Sequence, residues 1–192
     1  DVIVCEIDLL AANSTYTGSC QLTGTAAAGG YANHAEVTGT LPGGVSVVKS
    51  QAVSHYFGIN ASLSLVKLTN GKNVDSALGV EVHEGEIVVW NYHIINEGNV
   101  ALSELVLIDD NGTQDDPEDD IKVCVIDQLP PGAGDTSSCS LQGIASLGQY
   151  TNSAWVIGVI PNGFGEVRAE DKSFYFGVEA LPFHIFLPLI LR

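Results

Sequence analysis

Displaced against itself by 119 positions (124 − 5 = 119), this 192-residue chain repeats without a gap, residues 4–58 falling on residues 123–177. Cys5 meets Cys124, Ile7 and Asp8 meet Ile126 and Asp127, Leu10 meets Leu129, and Cys20 meets Cys139. Further along, Tyr31, Asn33, Ala35 and Val37 meet Tyr150, Asn152, Ala154 and Val156, and Tyr56-Phe57-Gly58 meets Tyr175-Phe176-Gly177. A repeat of this length is the size of one β-sandwich domain. Its phase therefore fixes the organisation. Residues 59–177 make a complete unit, and residues 1–58 are only the second half of another. Residues 178–192 open a third, because Val178-Glu179-Ala180 aligns with Ile59-Asn60-Ala61.

Within the complete unit, apolar and polar residues alternate in short runs between turn signals, the mark of half-buried strands. Strands are expected over 62–68, 87–96, 102–108, 122–126, 137–143, 150–160 and 166–176. Val88, Trp90, Tyr92 and Ile94 share one face of the second, and turns are expected at Asn96-Glu97-Gly98-Asn99 and Pro161-Asn162-Gly163. Seven short strands and no amphipathic helical stretch predict an all-β, Greek-key sandwich. In the sixth strand Tyr150, Asn152, Ala154 and Val156 take the inner face, leaving Trp155 and Ile157 outside. The first half-unit has His34, Glu36 and Thr38 at the matching outer positions, so the second unit turns an apolar face outward, as a docking surface does. A face assignment slipped by one residue is the other reading, and it puts Trp155 in the core.

Charge and composition remove several classes of function. Seven Lys and Arg against 23 Asp and Glu give 7 − 23 = −16, a field that repels nucleic acid and anionic membranes. With 45% hydrophobic and only 16% charged residues the chain is globular, not a disordered acidic tail. No apolar run reaches the length of a membrane-spanning helix. The absence of Met marks a processed or partial chain, any export signal being expected upstream. His34, His55, His83, His93 and His184 are scattered, and neither a Gly-x-Ser-x-Gly elbow nor a phosphate-binding Gly loop is present. The expected role is structural, not enzymatic.

Each unit carries two cysteines fifteen residues apart, Cys5/Cys20 and Cys124/Cys139, without the Cys-x-x-Cys spacing of a zinc site. Disulfides Cys5–Cys20 and Cys124–Cys139 are expected, each closing a loop worth roughly 3 kcal/mol. Buried thiols in a cytosolic protein are the alternative, but the duplicated spacing in an acidic, export-type chain favours the bonded, extracellular form. Residues 109–120 crowd seven carboxylates together. Such a loop suits a Ca²⁺ ion held by Asp109, Asp110, Asn111, Asp115, Asp116 and Asp119, although the EF-hand spacing is not met; a solvated acidic turn is the other reading. Asn13, Asn60 and Asn111 begin Asn-x-Ser/Thr sequons and are candidate glycan attachment points.

Leu65-Val66-Lys67, Trp90-Asn91-Tyr92, Asn96-Glu97-Gly98-Asn99, Ile108-Asp109-Asp110, the cysteine pair and Gln149-Tyr150-Thr151-Asn152-Ser153-Ala154 together resemble the Ig-like conserved repeat domain of bacterial and archaeal cell-surface proteins. The resemblance covers the second unit and the matching half of the first. It implies tandem extracellular Ig-like sandwiches used for spacing, adhesion or assembly. Some related surface modules form a Lys–Asn isopeptide bond beside a carboxylate, and Lys67, Asn152 and Asp109 occupy the corresponding positions here. A buried Lys–Asp pair accounts for the same residues.

The phase leaves two complementary defects. The half-unit 1–58 is expected to hold only the last four strands of a repeat, with Ile7, Leu22, Tyr31, Ala35 and Val37 lacking the strands that bury them. The tail 178–192 carries Phe183, Ile185, Phe186, Leu187, Leu189 and Leu191, an apolar ribbon with no partner of its own. Donor-strand exchange between copies satisfies both, and a head-to-tail contact that does not close makes a filament. The expected protein is a homopolymeric extracellular pilus subunit whose partner is itself. The alternative is a segment of an adhesin or stalk whose repeats act as spacers, continued by residues before Asp1.

Overall fold

Leu63, Leu65, Lys67 and Thr69 are buried while Ser64, Val66 and Leu68 between them are not, and this two-residue alternation recurs through the regular part of the chain. The computed structural model of the protein describes residues 2–136 and 138–180. They fall into two compact units, the first ending at Gly58 and the second beginning at Ile59. All regular elements among the described residues are strands, apart from one 3-10 turn at Pro161–Gly163. No helix among them is long and apolar enough to cross a membrane.

The first unit contains one hairpin, β1 (Gly29–Thr40) and β2 (Val47–Gly58), paired antiparallel from Gly29 opposite Gly58 to Thr40 opposite Val47. Residues 2–28 form no strand, so the expectation of four strands in this half is corrected to two. The second unit supplies the reason. The strands that correspond to residues 2–10 and 21–25 ladder only to strands from the first half of a repeat, which residues 1–58 do not include. Their backbone groups have no ladder to join, and Cys5–Cys20 is the covalent tie across the stretch.

The second unit comprises β3 (Leu63–Thr69), β4 (Lys72–Asn73), β5 (Val80–His83), β6 (Ile87–Asn96), β7 (Leu102–Asp109), β8 (Ile121–Leu129), β9 (Gly134–Asp135), β10 (Ser140–Ile144), β11 (Gly148–Val159) and β12 (Glu166–Val178). One sheet runs β10-β6-β3-β4 with β9 also on β6, the other β5-β12-β11-β7-β8. They enclose a core that includes Leu65, Val88, Trp90, Tyr92, Ile94, Leu105, Leu107, Val156 and Tyr175. The strand at 137–143 appears as β10, three residues later. Strand β5, with no long alternating run of its own, was not expected. It pairs parallel with β12 from Val80 opposite Tyr175 to Val82 opposite Gly177 and His83 opposite Val178. Gly79 makes this approach possible: its φ is +64°, and a Cβ there would collide with the Phe174 backbone.

The inner and outer faces of β11 are as the alternation predicts: Asn152, Ala154 and Val156 are buried, Trp155 and Ile157 half-buried on the outside. Arg168 of β12 lies over the Trp155 ring at 5.1 Å, so part of that outer apolar surface is roofed by a guanidinium.

Candidate functional site

Two places combine unusual chemistry with a definite position in the fold. The first is the inner face of the β1–β2 hairpin. It reproduces β11–β12 residue for residue: Tyr31 pairs with Tyr56 as Tyr150 pairs with Tyr175, and Asn33 with Ser54 as Asn152 with Ser173. The turns agree as well, Leu41 N–H donating to Ser46 C=O at 2.9 Å and Ile160 N–H to Gly165 C=O at 2.8 Å. The tyrosine rings stack at 4.9 Å in the first hairpin and 4.6 Å in the second. Burial differs completely. Val156 is fully buried, whereas Val37 is 61% exposed. Ala35 and Asn33 are likewise exposed where Ala154 and Asn152 are sealed. In the second unit β3 crosses this face and β7 hydrogen-bonds along β11; among the described residues of the first unit, 2–58, neither strand has a counterpart. Ile7 and Leu22, expected to share the face, are exposed as well.

The second place is inside the second unit. Lys67 of β3 is fully buried and its Nζ donates to Asp109 Oδ2 of β7, which is equally buried. Tyr92 of β6, directly across from Lys67 in the ladder, donates its hydroxyl to the same oxygen at 2.5 Å. Asp109 Oδ1 accepts the Asn111 backbone N–H at 3.0 Å. The rings of Trp90 and Tyr92 lie 5.8 and 5.4 Å from Nζ. Burial removes the ammonium from water and lowers the Lys67 pKa from its usual 10.5 to about 8, against the opposing pull of Asp109. The same burial, with Asp109 beside it, pushes the Tyr92 hydroxyl well above its ordinary value and keeps it a donor.

Asn152 completes this place. It lies on the inner face of β11 two residues from Ala154, which is directly opposite Asp109. Its side chain is fully buried, and neither Oδ1 nor Nδ2 has a hydrogen-bond partner. Among the described residues the only other buried side-chain polar atom so left is Trp90 Nε1. Each unsatisfied buried group costs about 1–3 kcal/mol, so an amide abandoned at both ends is a conspicuous anomaly. Lys67, Asp109 and Asn152 thus come from three strands in two sheets. Tyr92 and Asp171, whose carboxylate accepts the Lys67 backbone N–H at 2.7 Å, complete the surroundings and were not singled out in the sequence. The signal for Tyr92 was its inward parity on β6.

The other candidates are distributed differently. Cys5–Cys20 and Cys124–Cys139 are both disulfides, with Cα–Cα distances of 5.5 and 5.6 Å. Bonds of this kind mark a chain that matures outside the reducing cytoplasm. In the acidic loop Asp110 Oδ1 accepts the N–H groups of Gly112 and Ser153, each at 2.9 Å. Asp116 accepts the Glu118 N–H at 3.1 Å, Asp119 accepts the Asn111 amide at 3.4 Å and the Thr113 hydroxyl, and Asp115 is exposed. No group of three or more His, Cys, Asp or Glu among the described residues is arranged to hold a metal. Asn13, Asn60 and Asn111 are exposed. The expected polymerisation residues Phe183, Ile185, Phe186, Leu187, Leu189 and Leu191 lie outside the described residues.

No protein-family model matches the sequence, and no curated protein matches it either. Among solved structures, that of the sporulation control protein Spo0M from Bacillus subtilis aligns over 64% of this chain at 14% identity with a TM-score of 0.33; the aligned part spans about half (51%) of that protein's length.

Proposed function

We propose that the protein is a structural subunit of an extracellular filament, built from Ig-like sandwiches and assembled head-to-tail by donor-strand exchange. One observation carries the reading: the β1–β2 hairpin has the same register and the same inward residues as β11–β12, yet its inner face and its β1 edge are open. A face patterned for burial and left in water is an interaction surface. The occupant we assign is the tail 181–192 of a second copy, lying along β1 in the place β7 takes along β11.

The tail's own sequence supports that slot. Pro182 and Pro188 are an even number of positions apart (188 − 182 = 6), so in an extended strand both missing N–H groups fall on one edge. The opposite edge, carrying the N–H groups of Phe183, Ile185, Leu187 and Leu189, remains whole for pairing with β1. The tail contains no acidic residue to repel the acidic body of its neighbour.

Electron microscopy and sedimentation of the full chain, beside a version lacking 181–192, test the proposal. Filaments from the full chain and monomers from the truncated one are expected. Polymers that persist without the tail, or a full chain that stays monomeric, overturn it and leave the spacer role in a longer surface protein.

A further inference from the structure

We infer that residues 2–10 are the second wall of the acceptor slot, held ready by Cys5–Cys20, and become a strand only when another copy's tail lies between them and β1. The inference rests on the donor-strand reading and adds a partner to it, because the donated strand is then paired along both edges.

Displacement by 119 positions sets residues 2–10 on β8, Ile121–Leu129 (121 − 119 = 2, 129 − 119 = 10). In the second unit β8 ladders to β7 alone, from Leu102 opposite Leu129 to Asp109 opposite Ile121, and β7 separates it from β11. Val123, Cys124, Ile126 and Leu129 are the β8 residues that meet the core. Val4, Cys5, Ile7 and Leu10 repeat all four without a change, yet all four are exposed. Of the other positions Lys122, Val125 and Gln128 differ, standing against Ile3, Glu6 and Leu9. The inward set is thus kept in a segment that has no ladder. That segment contains neither Gly nor Pro, and Val2, Ile3, Val4 and Ile7 are β-branched, so its backbone is suited to a strand.

Two contacts tether it beside the hairpin. Tyr56 accepts the Ala27 N–H as Tyr175 accepts that of Ser146. A Cβ on Gly58 would strike the Ala27 C=O as one on Gly177 would strike the Ser146 C=O. The link into β1 therefore keeps the course of the link into β11. Cys20, which precedes that link, is bonded to Cys5 with Cα atoms 5.5 Å apart, against 5.6 Å for Cys124–Cys139. A strand inserted between two walls needs them about 10 Å apart, two strand spacings.

The tail's prolines account for the tether. With its complete edge on β1, the tail turns toward residues 2–10 an edge that lacks the N–H groups of Pro182 and Pro188 but keeps every C=O. Residues 2–10 carry an N–H at every position and supply the donors. Such a ladder has fewer hydrogen bonds than β7–β8. A segment pinned beforehand loses less entropy on joining it, and Cys5–Cys20 pins this one. The first disulfide thus serves assembly, whereas its counterpart serves the stability of a sandwich already closed.

Hydrogen–deuterium exchange on filaments of the full chain, beside the chain lacking 181–192, tests the inference. The amides of residues 2–10 are expected to exchange freely in the truncated chain and at least about a hundredfold more slowly in the filament. The double change Cys5→Ser with Cys20→Ser is expected to raise the concentration needed for filaments by about tenfold or more. Filaments whose 2–10 amides exchange as fast as those of the truncated chain overturn the inference and leave the donor-strand reading standing. So do doubly substituted subunits that polymerise at the native concentration. A full chain that forms no filament overturns both. The exchange measurement uses the native segment, so it decides the matter even where the double variant fails to fold.

Discussion

Tyr56 and Tyr175 make the same hydrogen bond, each hydroxyl accepting the backbone N–H of the residue 29 positions before it, Ala27 at 3.0 Å and Ser146 at 3.1 Å. Tyr175 is 1% exposed and Tyr56 is 38% exposed. The local conformation is thus encoded within the hairpin itself, while burial depends on what is brought to it. Tyr175→Ala is expected to destabilise the second unit by about 3–5 kcal/mol, read from its denaturation midpoint. Tyr56→Ala is expected to leave that midpoint within about 0.5 kcal/mol and instead to raise the concentration at which filaments form.

Removing the disulfides separates the two units in the same way. Cys124 lies in β8 of one sheet and Cys139 just before β10 of the other, so this bond staples the sandwich across its core. The double change Cys124→Ser with Cys139→Ser is expected to cost about 3 kcal/mol from the fifteen-residue loop. Cys5→Ser with Cys20→Ser leaves the melting of the second unit unchanged, since its loop joins residues outside any sheet. Differential scanning calorimetry with each pair replaced distinguishes them.

Much of this was legible in the sequence, and the failures have definite causes. Strand β6 was read at both ends because Val88, Trp90, Tyr92 and Ile94 alternate without interruption over its length. Residues 2–10 carry the same pattern as β8 yet form no strand: alternation reports which face wants burial, whereas a ladder needs a neighbour. Strand β5 was invisible because a four-residue segment held by parallel pairing to β12 has too few positions for a period. Of the interior site, Lys67, Asp109 and Asn152 were found, but the orphaned amide and the Tyr92 hydroxyl are matters of three-dimensional packing alone.

Lys67 also sets a dependence on pH. Its buried amine has a pKa lowered to about 8 in the folded chain from 10.5 when unfolded. Below about pH 8 the amine is charged in both states and the cost of burying it is fully felt. Between 8 and 10.5 the unfolded chain binds more protons, so stability rises with pH. A gain of up to about 1.4 kcal/mol per pH unit is expected between pH 8 and 10. Above that range the raised pKa values of buried Tyr92 and Tyr150 act the other way. Urea denaturation across this range measures it.

Proline scanning of the tail tests the paired edge. Ile185→Pro removes an N–H from the intact edge and is expected to abolish filaments. Phe186→Pro falls on the edge already lacking the N–H groups of Pro182 and Pro188, so it is expected to be tolerated, with at most a modest loss from its smaller side chain. Micrographs of the two variants at equal concentration compare them directly.

Strands β3 and β12 touch in step, the Lys67 N–H on Asp171 and the Thr69 hydroxyl on Ser173 at 2.9 Å, so they advance in the same direction. The chain enters the unit just before β3 and leaves it at the end of β12, and β5 runs parallel to that same closing stretch. Tension applied through the two ends therefore slides these strands lengthwise past one another and loads their contacts all at once. Antiparallel ends would peel apart contact by contact; this arrangement resists as a clamp.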